Sequence, residues 1–187
     1  MIMKYRYRLT QRQKDSIGSN LIDFMESREA LSKESARFIG DWILTGAGEK
    51  SKAFYDVWDI VLRSYMPQTR PILFRSCCRF IKDKIVSFTG RLSSAERFSR
   101  GKGLLIICDT SDLLFPLEFA ETHPQVRPYR NTFFPVAELL RKEARSPNCK
   151  FPERLVSDYS GEDEYIMRVN LDLMCRCKFA KINKGFD

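Results

Sequence analysis

Gly103-Leu-Leu-Ile-Ile-Cys108 is an unbroken apolar run of strand length, opened by a glycine and followed by Asp109. A run without polar alternation suits a strand in the middle of a sheet, apolar on both faces. It marks the C-terminal part of the chain as β structure, and neighbouring segments share its grammar. Pro71-Ile-Leu-Phe-Arg75 is a compact apolar run ending in a charge. Ile85-Val-Ser-Phe-Thr89 alternates small polar and apolar groups and closes at Gly90, while Tyr165–Val169 and Leu171–Phe179 supply two more strands. Between Leu113 and Phe151, Pro116, Pro124, Pro128, Pro135 and Pro147 predict mostly loop, with one helix over 136–144.

Upstream the period changes. Ile17, Leu21, Phe24 and Met25 recur at helical spacing. A second stripe holds Leu31, Ala36, Phe38, Ile39, Trp42 and Ile43 and stops near Gly46 and Gly48. A third holds Phe54, Val57, Trp58, Val61, Leu62 and Tyr65, begun after Ser51 and ended before Pro67. These stripes read as core faces. The expected architecture is α+β in one domain spanning 1–187, with a helical N-terminal part over 1–68 packed on a strand-rich core over 69–187.

Of the 187 residues, 43% are hydrophobic, enough to exclude wholesale disorder. No apolar run approaches the roughly 18 residues of a membrane span, and the basic MIMKYRYRLTQRQK stretch is followed by no apolar leader core. A protein without membrane contact, staying in the cytoplasm, is expected. The balance of 32 basic against 24 acidic residues gives +8, which suits nucleic acid, an acidic protein surface or a phosphate-bearing ligand without choosing among them. The patches Lys4–Arg8, Arg97–Lys102 and Arg141–Arg145 are short and read as solvated faces. Six cysteines (77, 78, 108, 149, 175, 177) lack C-x-x-C spacing, and His123 is the single histidine. Buried reduced thiols and no metal are therefore expected. A histidine-rich metal site is excluded, and any Ser-His-Asp triad would need His123.

Three segments carry chemistry. Arg75 closes an apolar strand, where an unpaired charge is costly, so it needs a protein carboxylate or a bound phosphate. In Ser87-Phe88-Thr89 the two hydroxyls share one strand face, and a short helix over 93–100, capped by Ser93 or Ser94, follows. In Gly161-Glu162-Asp163-Glu164-Tyr165, an extended chain would put Glu162 and Glu164 on one face about 7 Å apart. Such a pair can do two jobs at one reacting centre, or it can simply solvate a turn.

The order of the three, Arg75, then Ser87-Phe88-Thr89 with Ala95 and Phe98 in the next helix, then Glu162-x-Glu164 with Tyr165, Ile166 and Met167, resembles the R-S-E signature of arginine-specific ADP-ribosyltransferases. The resemblance covers roughly Phe54–Phe179 and is closest to the small Mod-type enzymes of T4-like phages. Three positions depart from it. Ser76 replaces the usual glycine after the arginine, Ser-Phe-Thr replaces Ser-Thr-Ser, and Arg168 stands where a proline is usual.

The resemblance implies a two-sheet β core with a cleft for NAD, used as a substrate without a metal. Arg75 would neutralise the pyrophosphate, and the Ser76 backbone would help hold the nicotinamide amide. Phe98 would stack on the nicotinamide ring. Glu164 would bind the ribose and stabilise the oxocarbenium centre, held in place by Ser87 with Thr89 in support. Glu162 would orient the incoming guanidinium and take its proton; a glutamate here points to arginine as acceptor. Asp163 would face away, and Tyr159 would touch the target protein. By family analogy the enzyme works as a monomer on host transcription or translation machinery, in the host cytoplasm if phage-encoded. Two rivals stay open: an NAD-dependent modifier of nucleic acid on the same scaffold, which the +8 charge would suit, and a non-enzymatic basic binding module.

Overall fold

The structure, a computed structural model, describes residues 8–77, 82–100, 102–123, 125 and 132–179. Cys78, the patch residues before Arg8, and Pro124 and Pro128 lie outside the described residues. Among the described residues, three helices come first: α1 (Gln11–Met25), α2 (Lys33–Leu44) and α3 (Lys52–Ser64). Their starts follow local chemistry. Thr10 and Gln13 form a reciprocal capping box, and Ser32 accepts from the Ser35 backbone at 3.0 Å. The expected stripes are the buried faces. Phe38, Trp42, Phe54 and Trp58 pack with ring centroids 5.3–5.9 Å apart, a spacing that adds stability beyond area burial. Gly18 lets α1 approach α3, since a Cβ there would lie 2.7 Å from Ile60 Cγ2.

The chain then runs β1 (Ile72–Cys77), β2 (Ile85–Thr89), α4 (Leu92–Ser99), β3 (Leu104–Asp109) and α5 (Thr110–Thr122). It continues through β4 (Phe133–Pro135), α6 (Val136–Ala144), α7 (Glu153–Ser160), β5 (Glu164–Arg168) and β6 (Cys175–Lys178). The strands form one antiparallel sheet in the order β4-β5-β2-β1-β3-β6. One sheet therefore replaces the two expected. Its centre is nevertheless a seam: β1 and β2 share a single registered pair, Phe74 with Thr89, whereas β1 pairs with β3 along six residues and β2 with β5 along five. Beyond that pair the strands part, and a cavity occupies the gap.

The sheet separates two cores. Ile85, Phe134 and Ile166 face the helices α1–α3, α6 and α7, while Phe88, Phe133 and Met167 face the other way, onto Leu113, Leu114 and Leu117 of α5. Helix α5 corrects the loop expected after Leu113. Proline at 116 costs a helix about 3 kcal/mol, but burying three leucines returns roughly 1.5–3 kcal/mol each, so the helix persists.

Other boundaries shift. Strand β1 runs to Cys77 because β3 pairs with it throughout, so Arg75 is internal to the strand instead of closing it. Helix α4 starts at Leu92 with Arg91 at its cap, and Ser94 is a buried helical residue, not the cap. The second C-terminal strand is confined to Cys175–Lys178. Of the thiols, Cys108 is buried, but Cys149, Cys175 and Cys177 are exposed, which corrects the expectation of buried cysteines. No helix among the described residues is long and apolar enough to cross a membrane. No cluster of three metal-ligating side chains occurs among them.

Candidate active site

The antiparallel register of β2 and β5 builds the site. Ser87 lies opposite Ile166 and Thr89 opposite Glu164, so Ser87, Thr89 and Glu164 point to the same side of the sheet as Ile85 and Ile166, toward the helices. Ser87 and Glu164 are diagonal neighbours on that face. The Ser87 hydroxyl donates to Glu164 Oε1 at 2.5 Å. From across the seam the Arg75 guanidinium donates through Nη1 to the Ser87 carbonyl oxygen. Ser87 thus ties the basic and acidic groups together, its backbone holding one and its side chain the other. Arg75 Nε is buried without a hydrogen-bond partner.

These groups line one cavity of about 360 Å³, whose wall also includes Ser76, Thr89, Phe98, Tyr159 and Glu162. All seven sequence-selected site residues meet there. Phe98 is 59% exposed, with the Arg97 guanidinium 5.2 Å from its ring centroid. Tyr159, expected to touch a target protein, lines the cavity.

The acidic segment differs in shape from the extended chain expected. Gly161 and Glu162 form a turn after α7, Asp163 has a left-handed φ of 51°, and the strand begins only at Glu164. This kink still delivers Glu162 and Glu164 to the same cavity. Asp163 points elsewhere: its carboxylate lies 3.5 Å from Arg141, and its carbonyl accepts from the Gly90 backbone at 3.0 Å. At Gly90 a Cβ would fall 2.2 Å from Asp163 Oδ2 and 3.3 Å from the Tyr165 ring, so a side chain there would have to push the Asp163 carboxylate aside. Thr89 supports Glu162 rather than Glu164, its hydroxyl donating to the Glu162 carbonyl at 2.7 Å and accepting from Arg91 N–H at 3.1 Å. The Glu162 carboxylate faces outward enough to meet Arg97 at 3.5 Å.

Three contributors escape a reading of the sequence: Trp42, Ile43 and Lys50, from the end of α2 and the loop after it. Trp42 reads as a core residue, and its ring is one, 1% exposed. The missed signal is its indole N–H, which needs a partner once buried and finds Glu164 Oε1 at 3.3 Å.

The electrostatics follow from this enclosure. Burial raises the Glu164 pKa above the usual carboxylate range. Hydrogen bonds from Ser87 and Trp42 and the charge of Lys50 pull it back, and Glu162 adds to the rise. Burial lowers the Arg75 and Lys50 pKa values, and Glu164 opposes both shifts. The site therefore sets the Glu164 carboxyl, held by two neutral donors, beside two cations and a second carboxyl group on the same cavity wall. Such a carboxylate can stabilise a developing positive charge, and its outer companion can accept a proton from an incoming group. No family model, curated protein or solved structure matches the chain.

Proposed function

We propose that the protein is an NAD-dependent mono-ADP-ribosyltransferase that transfers ADP-ribose to arginine side chains of target proteins and releases nicotinamide. The observation that carries this reading is the Ser87 bridge, which binds Arg75 through its carbonyl and Glu164 through its hydroxyl, with Glu162 and Phe98 on the same cavity wall. A guanidinium, a hydroxyl and two carboxylates in that arrangement match the R-S-E order of the sequence. The thinnest pairing in the sheet, the single pair between β1 and β2, lies between β4-β5-β2 and β1-β3-β6, where this reading seats the dinucleotide.

Each residue has a task. Arg75 binds the pyrophosphate, the Ser76 backbone holds the nicotinamide amide, and the exposed Phe98 ring stacks on the nicotinamide. The bond between ribose C1′ and the nicotinamide nitrogen breaks, nicotinamide departs with the electron pair, and the cationic ribose centre is stabilised by the Glu164 carboxylate. An acceptor guanidinium nitrogen then bonds to C1′ and gives one proton to Glu162. That base is needed because free guanidinium, with a pKa above about 12, is a poor nucleophile. The ion pair that Glu162 makes with Arg97 supports its competence to receive a guanidinium. Host transcription or translation machinery is the target class that the resemblance suggests, in the host cytoplasm if the protein is phage-encoded.

The test is incubation with NAD labelled in the adenosine and a bacterial lysate. Label retained by nuclease-treated protein and removed by protease supports the reading. Label lost to nuclease favours nucleic-acid modification, and no transfer with no nicotinamide release refutes an enzyme of this class. Glu164→Gln should abolish transfer and NAD hydrolysis, whereas Glu162→Gln should lose transfer and keep hydrolysis. Equal loss of both in Glu162→Gln contradicts the division of labour. Arg75→Ala should raise the KM for NAD.

A further inference from the structure

The end of α2 and the loop after it form a compact device beside Glu164. Lys50 Nζ donates to the carbonyls of Trp42 and Thr45, both at 2.7 Å. These lie at the C-terminal end of α2, where carbonyls lack helical partners and favour a cation. The same ammonium lies 4.0 Å from the centroid of the Trp42 ring, within cation–π range. The ring is packed against Phe54, Tyr55 and Trp58, so its N–H has little freedom, and it donates to Glu164 Oε1. A lysine that served only as a helix cap would not need to line the cavity, and Lys50 does.

We infer that Trp42 and Lys50 are positioning residues for Glu164: the indole N–H aims one carboxylate oxygen, and the ammonium clamped above the indole holds that indole in place. The role rests on Glu164 being the working carboxylate of the proposed transfer. The groups facing Glu164 are Ser87 from β2, Arg75 from β1, Trp42 and Lys50 from the α2 end, and Glu162 from the turn after α7. Burial and Glu162 favour the protonated acid, while Ser87, Trp42 and Lys50 favour the carboxylate. Trp42 and Lys50 therefore oppose the rise that burial imposes without cancelling it, and they are the members the helical half supplies.

The experiment titrates the Glu164 side-chain carboxyl by carbon-13 NMR, with the resonance identified by its loss in Glu164→Gln. Wild type, Trp42→Phe, Lys50→Met and Lys50→Arg are compared, each first shown to melt cooperatively. The midpoint should move to higher pH in Trp42→Phe and Lys50→Met and return toward wild type in Lys50→Arg. A hydrogen bond to an ionised group is worth about tenfold or more, so NAD hydrolysis on the acid limb should fall roughly tenfold in Trp42→Phe while the alkaline plateau changes less. An unmoved midpoint in folded Trp42→Phe and Lys50→Met overturns the inference. If Lys50→Met does not fold, Trp42→Phe decides alone. Moved midpoints support the positioning role even if no form consumes NAD, a result that would instead refute the transferase.

Discussion

The Glu164→Gln substitution retains the side-chain volume and a carbonyl oxygen able to accept from Ser87 and Trp42, and it replaces the ionisable oxygen with a neutral amide NH2. Its effect on stability reports what the Glu164 charge costs the fold. Burial raises the native pKa of Glu164 and outweighs the Ser87 and Trp42 hydrogen bonds and the Lys50 charge. The folded chain therefore binds a proton here more tightly than the unfolded chain, whose glutamate titrates near about 4.3. Between that value and the native midpoint the native state holds more protons, so wild-type stability falls as pH rises, and above the midpoint the loss is complete. Each pH unit between the two midpoints is worth about 1.4 kcal/mol. Glu164→Gln is therefore expected to be the more stable form at pH 8, with each kcal/mol of gain read as a rise in Tm of about 2–4 °C for a chain of this size. Below about pH 4 the two proteins should melt alike, since both carry a neutral side chain. Calorimetric melts of both forms from pH 4 to pH 8 measure the difference directly, with other titrating groups cancelling between them. A variant that is less stable at pH 8, or a difference in Tm independent of pH, would refute the account of Glu164 as a charge held at the fold's expense.

Gly90→Ala should displace the acidic turn, because the new methyl would meet Asp163 Oδ2; a loss of about 1–3 kcal/mol in denaturant melts is expected, with transfer falling further than NAD hydrolysis because Glu162 rides on that turn. Gly18→Ala sets a helix-propensity gain of about 1 kcal/mol against a 2.7 Å contact with Ile60 on α3, and overpacking should win, lowering Tm; a rise in Tm would show that α1 and α3 can move apart. Phe98→Ala removes a ring that is 59% exposed, so Tm should stay within about 2 °C while the KM for NAD rises; an unchanged KM would remove Phe98 from the binding site.

Much of the fold was legible from local pattern. Helices α1, α2, α3 and α6 announce themselves by apolar period and end signals, and β1, β2, β3 and β5 by apolar runs of strand length. The elements that escaped have weak local signals. Strand β4 is three residues ending in Pro135, too short for a period, and it exists because Phe133 and Phe134 are pulled into opposite cores by pairing with β5. Helix α7 buries only Leu155 fully, so it carries little stripe, and α5 hides behind Pro116. The candidate site divides in the same way. Arg75, Ser87, Glu162 and Glu164 could be selected because each sits in a short motif, and the order of motifs is a property of the chain itself.

Their meeting is another matter. Ser87 and Glu164 are 77 positions apart, and only the register of β2 on β5 makes them diagonal neighbours. Arg75 reaches Ser87 because β1 and β2 part after a single pair, and no residue pattern encodes where two strands diverge. The approach of Trp42 to Glu164 spans 122 positions and depends on how the helical half docks. Periodicity and residue type are written locally, so the chain alone determined its helices, most of its strands and the chemistry available to it. Distances and burial depend on packing across the whole sequence, so only the tertiary structure decided that one carboxylate would be held between a tryptophan and a serine while its neighbour two residues away met an arginine.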